Sequence, residues 1–275
     1  MKILKKETLA ENSGIKITRL EILSPELAKK AKAGQFVALM ASEKGERIPL
    51  TIVDNNQAEG TITLIFQEAG FTTKLLGKMN VGDSLYSLTG PLGHATEIKN
   101  YGRVILVGGG VGIAEIYPVA KALKKAGNHV TAILGARNKD FLILEQEMKA
   151  VCDELLVVTD DGSYARKGFT TDILDELLKK GGYDLVYAVG PIPMMRKASG
   201  VTKNYNVKTI VSLNALMVDA TGMCGGCRVN VAGKVKFSCV DGPEFDAAMV
   251  DWETLDKRNK IYKEQEKHIC NLNKL

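Results

Sequence analysis

The sequence predicts an all-β part joined to an α/β part: an N-terminal antiparallel Greek-key β-barrel, a parallel α/β domain toward the C-terminal side, and a small cysteine-rich segment. Three observations carry this reading. Short alternating apolar runs fill the first hundred residues. Continuous apolar runs separated by helical segments follow Tyr101. Three of the five cysteines then cluster at Cys224, Cys227 and Cys239. The expected boundaries are 1–100 for the barrel, 101–214 for the α/β domain, 215–250 for the cysteine segment and 251–275 for a helical tail.

Alternation in the barrel region appears in Ile15-Lys-Ile17, Leu20-Glu-Ile22, Phe36-Val-Ala38-Leu-Met40 and Thr61-Ile-Thr-Leu-Ile-Phe66. Period two places one set of side chains on each face of a strand. Ser24-Pro25, Asp54-Asn55-Asn56, Val81-Gly82-Asp83 and Gly90-Pro91 supply turns between the runs. Short strands at this spacing predict a small antiparallel barrel.

Beyond Tyr101-Gly102 the runs Val104–Val107, Val130–Leu134, Leu155–Val158 and Leu185–Val189 are apolar throughout, as strands buried on both faces must be. Ile113, Ile116, Ala120 and Leu123 recur at helical spacing, and Gly127 can end that helix. This is a βαβ unit. Its loop, Val107-Gly-Gly-Gly-Val-Gly-Ile-Ala-Glu115, leaves a strand and opens a helix. Glycines there let a pyrophosphate approach a helix N-terminus, where free N–H groups favour anions. A tight ligand-free turn would use the same residues. No Gly-Lys-Ser/Thr follows, so it is not a Walker loop. Gly135-Ala136-Arg137, Asp160-Asp161-Gly162 and Gly190-Pro191 also lie just beyond apolar strands, where open α/β sheets bind ligands. Arg137 can hold a phosphate or lie against an adenine. The residues do not separate NAD from NADP.

Cys224-Gly-Gly-Cys227 puts two thiolates on one turn, with Cys239 nearby. Iron–sulfur clusters take four thiolates as a rule. Asp219 stands where a C-x4-C-x2-C spacing would place another cysteine, and a carboxylate can ligate iron. A structural zinc site, a redox dithiol and unliganded thiols are the competing readings. Zinc favours four Cys or His ligands, whereas His94, His129 and His268 lie far off in sequence. Cys152 and Cys270 are isolated.

Hydrophobic residues make up 45% of the chain and charged residues 25%, the balance of a soluble globular protein. The net charge of +5 is spread among acidic residues rather than gathered in a stripe, so no nucleic-acid partner is expected. No apolar run approaches the ~20 residues that span a bilayer, and the charged N-terminus has no signal-peptide core. A cytoplasmic location is expected, with no membrane partner.

At this point the chain resembles the ferredoxin-reductase-like electron-transfer subunits that carry FAD and a [2Fe–2S] cluster, from about Gly34-Gln-Phe-Val37 to Asp241-Gly-Pro-Glu-Phe245. Two branches fit: the small subunit of NADH-dependent reduced ferredoxin:NADP+ oxidoreductase (sulfide dehydrogenase-like) and the dihydroorotate dehydrogenase electron-transfer subunit. Gly45-Glu-Arg-Ile-Pro-Leu-Thr-Ile52, Thr159-Asp-Asp-Gly-Ser163 and Thr221-Gly-Met-Cys-Gly-Gly-Cys-Arg228 look most like the first. The resemblance implies FAD on the barrel and nicotinamide on the α/β domain. Pro49-Leu50-Thr51 resembles the flavin-binding stretch, with Thr51 toward the isoalloxazine. Arg47 is offset by one from the usual arginine. Gly70-Phe71-Thr72-Thr73 resembles the flavin-pyrophosphate element. Gly110-Val111-Gly112-Ile-Ala114…Pro118 resembles the nicotinamide loop. The resemblance also places Leu64, Phe66, Gly90, Pro91, Leu92, Gly109, Ala136, Arg137, Asp160, Asp161, Gly162, Gly190, Pro191 and Met194 among the cofactor-binding residues. Asp219, Cys224, Cys227 and Cys239 are the implied cluster ligands, and Asp219 in place of a cysteine favours the first branch.

The resemblance implies a converter between a two-electron carrier, NAD(H), and a one-electron carrier, with no general acid or base. It also implies a larger partner with its own flavin, further clusters and an NADP(H) site, through which ferredoxin is served by electron bifurcation. A dihydroorotate dehydrogenase subunit is the alternative enzyme. A regulatory module binding a nucleotide and zinc is the alternative from another class.

Overall fold

The computed structural model describes residues 1–272, with side chains described through residue 269. Two compact units form: Met1–His94 with Asn214–Pro243 and the tail from Asp251 onward, and Ala95–Leu213 with Glu244–Val250. The cysteine-bearing segment thus belongs to the unit that contains the first ninety residues.

That unit begins with β1 (Ile3–Asn12), β2 (Ile15–Leu23), α1 (Pro25–Lys30), β3 (Phe36–Met40), β4 (Ile48–Asn56), β5 (Thr61–Gln67), α2 (Phe71–Lys78) and β6 (Ser87–Leu92). The six strands form one antiparallel sheet in the order β1-β2-β5-β4-β3-β6. Three hairpin-linked strands with β6 returning beside β3 make a Greek key. Lys2 bridges Ser84, a few residues ahead of β6, so the two ends of the sheet meet. Closure leaves little free edge. Ile3, Leu20, Ile22, Leu39, Ile62 and Leu64 fill the interior without solvent contact.

The two short runs Ile15–Ile17 and Leu20–Ile22 belong to one strand, β2. Their alternation breaks because Ile17 and Thr18 are both buried. The pairing of β1 with β2 shifts register at this point, between Thr8 and Ala10. The extra residue, Leu9, lies on β1, so the bulge offsets that strand's face while β2 keeps an unbroken register with β5. The Thr18 hydroxyl donates to Glu68 at 2.6 Å, which satisfies it in the interior.

The second unit contains β7 (Arg103–Gly109), α3 (Gly112–Lys125), β8 (His129–Ala136), α4 (Glu145–Val151), β9 (Glu154–Thr159), β10 (Arg166–Lys167), α5 (Thr170–Lys180), β11 (Leu185–Val189), α6 (Ile192–Lys203) and β12 (Lys208–Ser212). The chain then forms β13 (Arg228–Val231), β14 (Lys234–Phe237) and α7 (Ser238–Asp241) in the first unit. It returns to the second for β15 (Glu244–Asp246), and ends with α8 (Trp252–Arg258) and α9 (Lys263–Leu272). The second sheet runs β10-β9-β8-β7-β11-β12-β15, parallel except for β15. Val104 to Val107 are wholly buried, as the continuous apolar run requires. Ile113, Ile116, Ala120 and Leu123 lie on the buried side of α3, and Gly127 takes φ +85° just past its end.

The tail is two helices rather than one. Leu255 on α8 is buried, whereas Ile261 sits between the helices, half exposed. Among the described residues no helix is long and apolar enough to cross a membrane.

Candidate functional site

Strand order in the α/β unit reverses between β7 and β11, and open sheets bind ligands beyond the carboxyl ends of their strands at such a point. The glycine loop leaves β7 there. Its glycines do two different jobs. A Cβ on Gly109 would strike Met194 Sδ, one on Gly190 would lie 2.7 Å from Met194 Cε, and one on Gly112 would strike the Val189 carbonyl. These three serve close packing of β7, β11 and the starts of α3 and α6. Gly110 differs: it takes φ +58°, and a Cβ there would meet nothing within 4 Å. Its N–H donates to Gly135 O at 2.8 Å, which ties the loop to the end of β8.

The ends of β8 and β9 are laced together. Asp160 N donates to Ala136 O at 3.0 Å and Asp161 N to Arg137 O at 3.2 Å. Ala136 is buried, while Arg137, Asp160, Asp161 and Gly162 are exposed. Partial burial holds the Asp160 carboxyl above its ordinary range, opposed by the Arg137 charge. The Asp161 carboxylate caps its own turn, accepting from Ser163 N at 2.8 Å; the Ser163 hydroxyl first, and then this N–H, hold it below the usual range.

On the barrel, Pro49, Leu50 and Thr51 lie half-buried on β4, opposite Ala38, Val37 and Phe36 of β3. Gly70 caps α2, where its N–H donates to Thr73 Oγ1 at 2.9 Å and a Cβ would meet nothing. Thr72 is buried and its hydroxyl donates to Glu46 at 2.8 Å. Gly90, Pro91 and Leu92 lie on β6, and Gly90 sits against Val37. The side chains of Leu64 and Phe66 are taken up by the barrel core, not by a ligand surface. Arg47, just ahead of β4, reaches the cysteine segment: its Nη1 donates to the Asp219 carbonyl at 3.3 Å.

The cysteine segment brings the four sequence-marked residues together as two pairs. Cys227 and Cys239 are buried with their sulfurs 3.2 Å apart. The exposed Cys224 lies within hydrogen-bonding reach of the Asp219 carboxylate. That carboxyl is held below its ordinary range, first by the Thr221 N–H and then by Cys224. Backbone N–H groups point at the sulfurs: Gly226 N at Cys224 and Cys239 N at Cys227, both at 3.4 Å. Burial, and then the contact with Cys227, push the Cys239 thiol up to about 12. A bound metal reverses such a cost by stabilising the thiolate.

Comparison with known proteins gives these groups a family. Residues 106–200 match the oxidoreductase NAD-binding domain, and residues 214–251 match the iron–sulfur cluster binding domain of dihydroorotate dehydrogenase B. A dihydroorotate dehydrogenase B (NAD+) electron transfer subunit homolog from Thermotoga maritima is 50% identical over 96% of this chain and 92% of its own. The chain belongs to the dihydroorotate dehydrogenase B electron-transfer-subunit family. A solved structure within this similarity, described by flavin-based electron bifurcation in the NADH-dependent reduced ferredoxin-NADP oxidoreductase, is 49% identical. It covers 97% of this chain and 95% of that one with a TM-score of 0.91. The ferredoxin-NADP+ reductase of Plasmodium falciparum shares the fold, at 17% identity, a TM-score of 0.59, and coverage of 74% of this chain and 89% of its own.

As a member of this family the chain is an electron-transfer oxidoreductase subunit served by FAD, NAD(H) and an iron–sulfur cluster. The cysteine segment fits such a cluster. A tetrahedral metal with ~2.3 Å bonds holds two thiolates about 3.7 Å apart, so the Cys227 and Cys239 sulfurs, 3.2 Å apart, would have to separate slightly to share one. Among the described residues no three acidic, Cys or His side chains converge on one ion. The four instead fall into two pairs, which suits two irons better than one zinc. The Arg47 Nε, Ser238 Oγ and Arg258 Nε atoms are buried without a protein partner, and all three residues border this segment.

Sequence reasoning missed Ser238 and Arg258, and also Asn259, whose side chain accepts from Leu216 N at 3.0 Å and donates to Asn214 O at 2.8 Å. No motif marks them; Arg258 and Asn259 are polar residues in a polar tail. It also missed Glu244, half-buried on β15, which accepts from Tyr187 at 2.7 Å and from Thr96. Burial raises its carboxyl above the ordinary range.

Proposed function

We propose that the chain is the NAD(H)-handling subunit of a flavin-based electron-bifurcating NADH-dependent ferredoxin:NADP+ oxidoreductase. Asp219 beside Cys224 carries this reading: a carboxylate stands where a four-cysteine cluster would have a thiolate. The 49% identity to the bifurcating oxidoreductase structure over nearly the whole of both chains supports it.

In this reading Asp219 and Cys224 hold one iron of a [2Fe–2S] cluster, and Cys227 and Cys239 hold the other. Thr51 and the β4 backbone hold the flavin ring, and the α2 N-terminus at Gly70 receives the flavin pyrophosphate, since free N–H groups there favour anions. The open Gly110 turn and the start of α3 receive the nicotinamide dinucleotide's pyrophosphate, with Arg137 and Asp160 at its adenosine end. When bound, these groups supply hydride exchange and one-electron transfer. The protein positions them and sets their electrostatics. No side chain is required as general acid or base. The larger partner is expected to hold its own flavin, further clusters and the NADP(H) site, and to serve ferredoxin. The cytoplasm is the proposed location.

A second reading, the electron-transfer subunit of an NAD-dependent dihydroorotate dehydrogenase, draws on the family match of residues 214–251. The native complex, isolated without oxygen and given dihydroorotate and NAD+, decides between them. No orotate is expected; robust orotate formation would establish the second reading.

A further inference from the structure

Burying a polar hydrogen-bonding group without a partner is costly, more so if it is charged, so such groups in a folded chain call for an explanation. Among the described residues the side-chain atoms left in this state are Arg47 Nε, Ser238 Oγ and Arg258 Nε. They come from three separate stretches of the chain: the approach to β4, the start of α7 and the end of α8. Yet each borders the cysteine segment. Arg47 Nη1 donates to the Asp219 carbonyl at 3.3 Å. Arg258 Nη2 donates to the carbonyl of Gly226, between Cys224 and Cys227, at 3.1 Å. Ser238 immediately precedes Cys239, and its N–H donates to the Cys227 carbonyl at 3.0 Å. A random scatter of unmet donors would not favour one loop.

We infer that Arg47, Ser238 and Arg258 are positioning residues that donate hydrogen bonds to the iron–sulfur cluster and its ligands, and thereby set its reduction potential. The inference rests on the cluster assignment above. Each residue is held so that one donor anchors the loop backbone while another remains to be met. Arg258 is fixed further by Asn259, which clamps Leu216 and Asn214 on the same segment. Sulfide and thiolate sulfur, and the Asp219 carboxylate, are the acceptors a two-iron cluster presents. With three thiolates, one carboxylate and two sulfides, an oxidised cluster of two ferric ions carries charge −2, and reduction adds another negative charge. Donors and guanidinium charge beside it stabilise the reduced form more than the oxidised one. The role of α8 is then electronic as well as structural, since it brings Arg258 to the CxxC turn.

The test is an EPR-monitored redox titration of the full-length, flavin-loaded chain and of Ser238→Ala and Arg258→Lys. The first removes a hydroxyl alone. The second keeps the charge but removes the planar fork. Iron, sulfide and FAD contents are measured on each. Wild-type protein without two irons and two sulfides would sink the cluster assignment itself. With the cluster present, the expected result is a lower midpoint potential in both variants, on the order of tenfold in the one-electron equilibrium, or about 59 mV. The flavin potential should not move. Cluster-loaded variants with unchanged cluster potentials would overturn the inference while leaving the assignment intact. Folded variants that keep FAD but lose iron would also overturn it, since the donors would then hold the cluster rather than tune it.

Discussion

Gly112→Ala and Gly200→Ala are the same chemical change in two helices, and the structure gives them opposite signs. At Gly112, the first residue of α3, a Cβ would strike the Val189 carbonyl and approach Gly190 Cα to 3.0 Å. Those neighbours are backbone atoms of β11 and its exit, so neither can rotate away. Overpacking of this kind costs about 1–3 kcal/mol. At Gly200, within α6, a Cβ would meet nothing within 4 Å. There alanine should gain up to about 1 kcal/mol in helix propensity. With roughly 2–4 °C of melting shift per kcal/mol in a chain of this size, Gly112→Ala should melt about 2–12 °C lower and Gly200→Ala slightly higher. Thermal unfolding followed by circular dichroism reads both. Because Gly112 also starts the helix proposed to receive the dinucleotide, its variant should raise the KM for NADH, and Gly200→Ala should not. Equal melting points for the two variants would refute the packing argument. A destabilised Gly112→Ala with unaltered KM would separate that packing from ligand binding.

Other outcomes follow from the same residues. Asp219→Cys should keep two irons per chain while changing the visible and EPR spectra and lowering the cluster potential, because a thiolate donates more charge to iron than a carboxylate; an unchanged spectrum would mean Asp219 is not a ligand. Asp160→Asn should raise the NADP(H)/NAD(H) ratio of kcat/KM by roughly tenfold, through relief of like-charge repulsion toward a 2′-phosphate; an unmoved ratio would remove Asp160 from the adenosine end. For Glu244, burial raises the folded carboxyl above its ordinary 4.5, so the folded state binds more protons than the unfolded one and the stability slope with pH is negative. Its contribution is full below 4.5 and is lost as pH rises through the folded value. Urea midpoints measured upward from that pH should fall in the wild type and stay flatter in Glu244→Gln; parallel profiles would show that Glu244 ionises freely.

The α/β unit was legible because its central strands, β7, β8 and β11, are buried on both faces. Val104–Val107, Val130–Leu134, Leu155–Val158 and Leu185–Val189 all lie within β7, β8, β9 and β11. The barrel was legible only where one face is core. β3 and β5 bury most of their apolar residues, whereas β1, Ile3–Asn12, carries Lys5, Lys6 and Glu7 in succession and buries little beyond Ile3 and Ala10. A strand with one neighbour and few buried positions leaves no period to read. β4 was hidden differently, since its Pro49-Leu50-Thr51 reads as a binding stretch rather than as a ladder. The four residues proposed to hold the cluster were marked by the CxxC turn, by the spacing of Asp219 and Cys239 around it and by the family resemblance. The residues around them were not. Arg47, Ser238 and Arg258 meet the segment across long sequence separations, and only tertiary packing brings them there. Glu244 escaped for the same reason, as its partners Tyr187 and Thr96 are remote in the chain.

The central claim, that this subunit delivers electrons to or from NAD(H) within a bifurcating complex, is tested most directly by NADPH oxidation in the native complex isolated without oxygen. The account predicts that NADPH is oxidised only when oxidised ferredoxin and NAD+ are both present, with equal electron counts reaching each acceptor. Rapid NADPH oxidation with NAD+ alone, leaving ferredoxin oxidised, would contradict it.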